Sequence, residues 1–104
     1  MRKILFAKSK HASPAEFILI INDAGTVDFS IRNHAVLNGF GEKVFQALNK
    51  RKTSSIHENI SSMYELLGRN RQILLKKSKE ELFASLAASA LHSPPLAREH
   101  FESR

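Results

Sequence analysis

The apolar positions of this chain change their rhythm once. Up to residue 32 they come as short runs and as strict alternation, and from residue 39 onward they recur at helical spacing. Alternation marks a half-buried strand, and three- and four-residue recurrence marks an amphipathic helix. Arg2 to Ala7 reads as a short first strand. Ser13-Pro14 closes that region, because proline lacks an N–H and restricts its predecessor. Phe17-Ile18-Leu19-Ile20-Ile21, rich in β-branched residues, reads as a buried strand. Asn22-Asp23-Ala24-Gly25 supplies turn chemistry. From Thr26 to Arg32, Val27, Phe29 and Ile31 point one way and Asp28, Ser30 and Arg32 the other. The expectation is a hairpin with one wet face.

Asn33 to Asn38 is a connector. From Gly39 to Lys50, Phe40, Val44 and Leu48 form a helical stripe with Phe45 beside them, and Lys50-Arg51-Lys52 suits a helix C-terminus. Thr53-Ser54-Ser55 opens a second helix, with Ser55 and Glu58 at capping-box spacing. Ile56, Ile60, Met63 and Leu67 share one face, Tyr64 adjoins it, and Gly68 stands where a terminator belongs. The third helical stretch has two readings. One helix from about Asn70 to Leu91 would place Leu75, Leu82 and Leu86 on one face, and no Gly or Pro interrupts residues 69–93. Alternatively Ser78 and Glu81, a second capping box, start a helix at Lys79. The longer helix is the favoured one, and Ser93-Pro94-Pro95 ends it.

The fold class is therefore α+β: a small antiparallel β-hairpin or three-stranded sheet followed by three helices. Residues 1–92 form a single domain and residues 93–104 a flexible tail. At 104 residues, with 42% hydrophobic and 25% charged residues, the chain suits one globular domain. It has no cysteine, which removes disulfides, thiolate metal sites and cysteine nucleophiles. Phe17 to Ile21 is far shorter than the roughly 20 apolar residues of a membrane span. A cytoplasmic protein without a membrane segment is expected.

Charge changes the picture most. The formal net charge is +6, and residues 50–79 alone account for it through Lys50, Arg51, Lys52, Arg69, Arg71, Lys76, Lys77 and Lys79 against Glu58 and Glu65. Residues 1–13 add Arg2, Lys3, Lys8 and Lys10 with no acid. A basic cluster fixed to folded elements can meet phosphates. If a second helix follows the glycine turn, a helix-turn-helix would set Arg69, Asn70, Arg71 and Gln72 toward bases, with Lys76, Lys77 and Lys79 on the backbone. Tyr64 argues against it, because the position four residues before the turn glycine is usually small. Binding without base reading needs less: Lys50-Arg51-Lys52 and Arg69 to Lys79 flank a helix whose ends lie roughly 20 Å apart.

Other chemistry is sparse. His11, His34, His57, His92 and His100 show no metal-ligand spacing. His34 with Glu42 is the one acid–base pairing the sequence suggests. Gly39-Phe40-Gly41 lacks the rest of a phosphate loop. No metal, cofactor or catalytic residue is expected. The stretch from Leu82 to Leu91 is apolar and rich in small residues, and Leu82, Phe83, Leu86 and Ala90 could meet a partner helix or a second copy. It could equally complete the core.

The expected function is a small intracellular regulatory binding protein that contacts nucleic acid, DNA ahead of RNA, through a basic helical hairpin. The alternative is an interaction module (inhibitor, adaptor or chaperone-like subunit) docking on an acidic protein surface. A homodimer fits either.

Overall fold

The computed structural model describes residues 1–49 and 55–92, with side chains through residue 89. Three strands come first: β1 (Arg2–Ser9), β2 (Glu16–Ile21) and β3 (Val27–Arg32). A 3-10 turn (His34–Leu37), α1 (Phe40–Leu48) and α2 (Ile56–Arg69) follow, then a short strand β4 (Ile73–Leu75) and α3 (Lys79–His92). The class is α+β. The sheet is antiparallel with four strands, in the order β3-β2-β1-β4.

The β2–β3 hairpin forms as its alternation dictates. Ile21 pairs with Val27, and the turn closes through Asn22 N–H to Thr26 C=O and Gly25 N–H to Asn22 C=O, both at 2.9 Å. Gly25 sits at φ 87°, a conformation that glycine adopts without steric cost. Phe17, Leu19 and Ile21 of β2 and Val27, Phe29 and Ile31 of β3 are buried on one face. The pairing places Lys3, Leu5, Ile18, Ile20, Asp28 and Ser30 on the other face, and none of these is buried.

β1 carries a bulge. Its register against β2 shifts between Leu5 and Ala7, so the extra residue, Phe6, turns into the core with its neighbour Ala7. The Phe6 ring meets Phe17 at 6.2 Å, Phe29 edge-on at 6.1 Å and Tyr64 stacked at 5.9 Å between centroids. Phe6 thereby links β1, β2, β3 and α2.

The helices cover that face. α1 buries Val44, Phe45, Ala47 and Leu48, and α2 buries Ile56, Ile60, Met63 and Leu67. Ser55 caps α2 as its spacing predicts, its hydroxyl accepting the Glu58 N–H at 3.1 Å. α2 runs through Gly68 to Arg69, with Asn70 as its C-cap, so Gly68 lies inside the helix rather than terminating it.

Beyond Asn70 the structure departs from the favoured reading. No helix continues from Asn70; the chain makes a turn, pairs Ile73–Leu75 with β1, and starts α3 at Lys79. The Ser78–Glu81 capping box sets that start: Glu81 N–H donates to Ser78 Oγ at 3.1 Å, and Ser78 N–H to Glu81 Oε1 at 2.9 Å. The two reciprocal bonds satisfy amides that a continuous helix would have satisfied internally. Leu75 belongs to β4 and is 42% exposed, so it does not share a helical face with Leu82 and Leu86. The expected tail at residues 93–104 lies outside the described residues.

Candidate nucleic-acid interface

β4 is short, but it brings two distant basic segments together. Ala7, Lys8 and Ser9 pair with Leu75, Leu74 and Ile73. Lys10 N–H donates to the Gln72 carbonyl at 2.7 Å, extending the contact past the strand. At the other end the amides of Lys76 and Lys77 both donate to the Phe6 carbonyl, at 2.7 and 3.1 Å. The bulge sets this carbonyl opposite the β4 exit. Lys8 and Lys10 therefore lie beside Arg71 and Lys76, more than 60 positions away in the chain. Arg2 and Lys3 continue the same strand.

The expected basic residues from Arg69 to Lys79 have definite places. Arg71, Gln72 and Lys76 are exposed around β4. Arg69, in the last turn of α2, lies 3.8 Å from Glu65, with both side chains about three-quarters exposed. Lys77 lies 3.8 Å from Glu81. Among the described residues no carboxylate lies within ion-pair distance of Lys8, Lys10, Arg71, Lys76 or Lys79. Glu16, the residue of β2 directly opposite Lys8, is 3.3 Å from Arg32. Lys50, Arg51 and Lys52 lie outside the described residues.

Residues 69–79 do not form the second half of a helix-turn-helix, because α2 ends at Arg69 and a turn and a strand follow it. Arg69, Asn70, Arg71 and Gln72 do not occupy the start of a recognition helix. Asn70 is committed to the turn: its Oδ1 accepts the Gln72 N–H at 2.9 Å and its carbonyl the Ile73 N–H at 3.0 Å. The Oδ1 bond turns the Asn70 amide toward its own turn and takes one of the two lone pairs of the oxygen that an adenine contact would use. Tyr64, which counted against a tight helical crossing, instead stacks on Phe6 and donates its hydroxyl to the Lys77 carbonyl at 3.0 Å. Burial, then the carboxylates of Glu81 and Glu80, push its phenol pKa well up.

The expected partner face of α3 is mostly internal. Leu82 and Leu86 are buried in the core, and Phe83 is half-buried with its ring 4.5 Å from that of His57. Leu82 and Leu86 are therefore not available to a partner; they complete the core, the other role open to this stretch. Ala90 belongs to α3, and its side chain is outside the description.

The remaining chemistry stays on the surface. His34 Nδ1 is 3.9 Å from Glu42 Oε1, with side chains 42% and 62% exposed, so the pair is an open surface contact. Among the described residues no three or more His, Cys, Asp or Glu side chains cluster to hold a metal ion. No described helix is long and apolar enough to cross a membrane. The large exposed apolar side chains are Met1, Leu5, Leu74 and Leu75, with no aromatic among them.

Sequence reasoning left Lys8 and Lys10 out of the interface. The available signal was Ile73-Leu74-Leu75, an apolar run between turn-forming Asn70 and Lys76. Three residues are too few for periodicity to claim as a strand. Comparisons with protein-family models, curated proteins and solved structures return no match for this chain.

Proposed function

We propose that this protein is a small regulatory binding protein of the cytoplasm that contacts nucleic acid through phosphates, without reading bases. One observation carries the reading: the β1–β4 pairing sets Lys8 and Lys10 beside Arg71 and Lys76 with no carboxylate at ion-pair distance among the described residues. Cations that are not internally neutralised, held on strands and a tight turn, gain from releasing counterions when they meet a polyanion. Duplex is favoured over single strand. Single-strand binding draws on exposed aromatic rings for stacking, and the described apolar exposures are aliphatic. The protein acts by binding rather than catalysis, and Arg2, Lys3, Lys77 and Lys79 extend the basic flank.

The test is the salt dependence of binding to a 20-base-pair duplex and to a 20-nucleotide single strand. In the variant with Lys8, Lys10, Arg71 and Lys76 all changed to Gln, the slope of log K against log salt should flatten by about 3–4, since each phosphate contact contributes roughly 0.9. Circular dichroism should show the fold intact. Absence of duplex binding by the unaltered protein at low salt, or an unchanged slope in the folded variant, rejects the proposal.

A further inference from the structure

β1 has a second edge that its own sheet fills only in part. On one side β2 pairs along its length, from Arg2 opposite Ile21 to Lys8 opposite Glu16. On the other side β4 pairs with Ala7, Lys8 and Ser9 alone. Among the described residues no strand pairs with Arg2 to Leu5 on that side. In an extended strand every second residue directs its N–H and C=O away from a given neighbour, so this stretch presents unpaired backbone groups.

α3 runs beside that edge without closing it. A groove of 480 Å³ lies between them, lined by Arg2, Lys3, Ile4 and Leu5 on one wall and by Glu81, Ala84 and Ser85 of α3 on the other, with Lys77 beside Glu81. A second hollow of 440 Å³ continues past Arg2 to Ala88 and Ser89. Helical backbone bonds are internal to the helix, so α3 cannot satisfy a strand edge, and the small side chains of Ala84 and Ser85 leave the space between it and β1 unfilled. The dimensions match: four strand residues span about 13 Å, and the α3 wall from Glu81 to Ser89 rises about 12 Å. Such a slot admits one added strand of four or five residues.

The charge of the slot selects its occupant. Arg2 and Lys3 are exposed, and no carboxylate among the described residues pairs with them. The two nearby carboxylates are engaged: Glu81 accepts the Ser78 N–H and lies 3.8 Å from Lys77, and Asp23 pairs with the Met1 amino group. Two copies joined antiparallel edge to edge over Arg2 to Leu5 would gather four cations, Arg2 and Lys3 of each, along one short seam, where like charges repel. The same cations attract an acidic segment.

We infer that the open edge of β1, from Arg2 to Leu5, accepts an extended acidic peptide by strand addition, in line with β4 and against α3. Main-chain hydrogen bonds to the edge supply affinity. Acidic side chains beside Lys3 and apolar ones beside Ile4 and Ala84 supply selectivity. This site uses Arg2 and Lys3, at the far end of the basic flank, but none of Lys8, Lys10, Arg71 and Lys76, and it does not depend on the nucleic-acid reading.

The probe is a labelled, end-capped ten-residue peptide alternating Glu with Val, titrated by anisotropy and followed by amide hydrogen exchange. It should bind saturably and slow exchange at Arg2 to Leu5. Replacing its Glu by Lys should weaken binding at least about tenfold, and replacing its Val by Pro should do the same, because proline cannot donate to a strand edge. Ala84→Trp, at an exposed helix position, should fill the groove and abolish peptide binding while leaving duplex binding unchanged. Equal binding of the proline peptide, full binding to the Ala84→Trp protein, no saturable binding, or protection elsewhere would each overturn the proposal. So would a concentration-dependent dimer that protects Arg2 to Leu5 without peptide, which would make a second copy the occupant.

Discussion

The hydroxyl of Tyr64 reaches across from α2 to the backbone carbonyl of Lys77, at 3.0 Å, while its ring stacks on Phe6. One side chain thus fixes the loop that leaves β4 to both α2 and the bulged strand. Tyr64→Phe keeps the ring and removes the hydroxyl. It should lower stability by about 1 kcal/mol, the usual net value of such a hydrogen bond. Urea denaturation checks this, and amide exchange at Lys76 to Lys79 should rise more than in the sheet.

The same residue gives a pH signature at the alkaline end. The folded phenol pKa lies above the ordinary value of about 10. Below pH about 10 the phenol is protonated in both states and its contribution is complete. As the pH rises further, the unfolded chain loses its proton first, and stability falls toward the folded pKa. The unaltered protein should therefore lose stability above pH 10 more steeply than Tyr64→Phe. Parallel curves for the two proteins would show that the phenol has no such role.

Two glycines should respond in opposite directions to alanine. Gly39, at φ 88°, precedes α1 in the left-handed region, where a Cβ is strained whatever the surrounding space. Gly39→Ala should destabilise by roughly 1–2 kcal/mol. Gly68 lies inside α2, is exposed, and has nothing within 4 Å of an added Cβ. Gly68→Ala should stabilise by about 0.5–1 kcal/mol through helix propensity. Thermal melts of both variants decide the matter, and a destabilised Gly68→Ala would return that glycine to the role of terminator.

What the sequence disclosed depended on the range of each signal. The β2–β3 hairpin was legible because alternation over residues 26–32 and the Asn22–Gly25 turn are local. So was the cap at Ser55, since a hydroxyl three residues before a glutamate is itself the mechanism. The same box at Ser78 was visible but lost to the longer helix, because no Gly or Pro interrupts residues 69–93. β4 was not legible. Its three residues carry no period, and it is a strand because β1, more than 60 positions earlier, has a free edge there. The site failed with it: a helix was expected to present Arg69 to Lys79, and the pairing instead makes one flank of Lys8, Lys10, Arg71 and Lys76. Leu82 and Leu86 show the reverse ambiguity, since an apolar helical stripe looks alike whether it meets its own core or a partner.

The capping box of α3 should respond to acid. Hydrogen bonding from the Ser78 amide, followed by smaller effects of Lys77, holds the Glu81 carboxyl below its ordinary value. A depressed carboxylate contributes fully above the unfolded value of about 4.3 and loses that contribution as the pH falls through its folded value. The first turn of α3 should therefore fray in acid before the sheet does. Carboxyl chemical shifts of Glu81 followed against pH, with amide exchange at Lys79 to Leu82, test it. In Ser78→Ala, Glu81 should keep its bond from the residue 78 amide, so its titration moves only partly toward normal.

Ser9 closes the connection between β1 and β2 from the inside. It is 2% exposed, its N–H donates to the Ala15 carbonyl at 2.9 Å, and its Oγ accepts the Ala15 N–H at 2.9 Å. His11 Nδ1 lies 2.9 Å from the same oxygen. The loop holding Lys10 is thus pinned at both ends to one buried residue pair. Ser9→Ala leaves the Ala15 amide buried without a partner, which costs about 1–3 kcal/mol. Ser9→Thr keeps the acceptor and should retain more stability than Ser9→Ala if the added methyl is accommodated beside Ile73, its partner on β4. Urea midpoints should rank the unaltered protein first and Ser9→Ala last. Ala15 amide exchange should accelerate most in Ser9→Ala. Equal exchange at Ala15 in all three proteins would mean that the hydroxyl does not hold this loop.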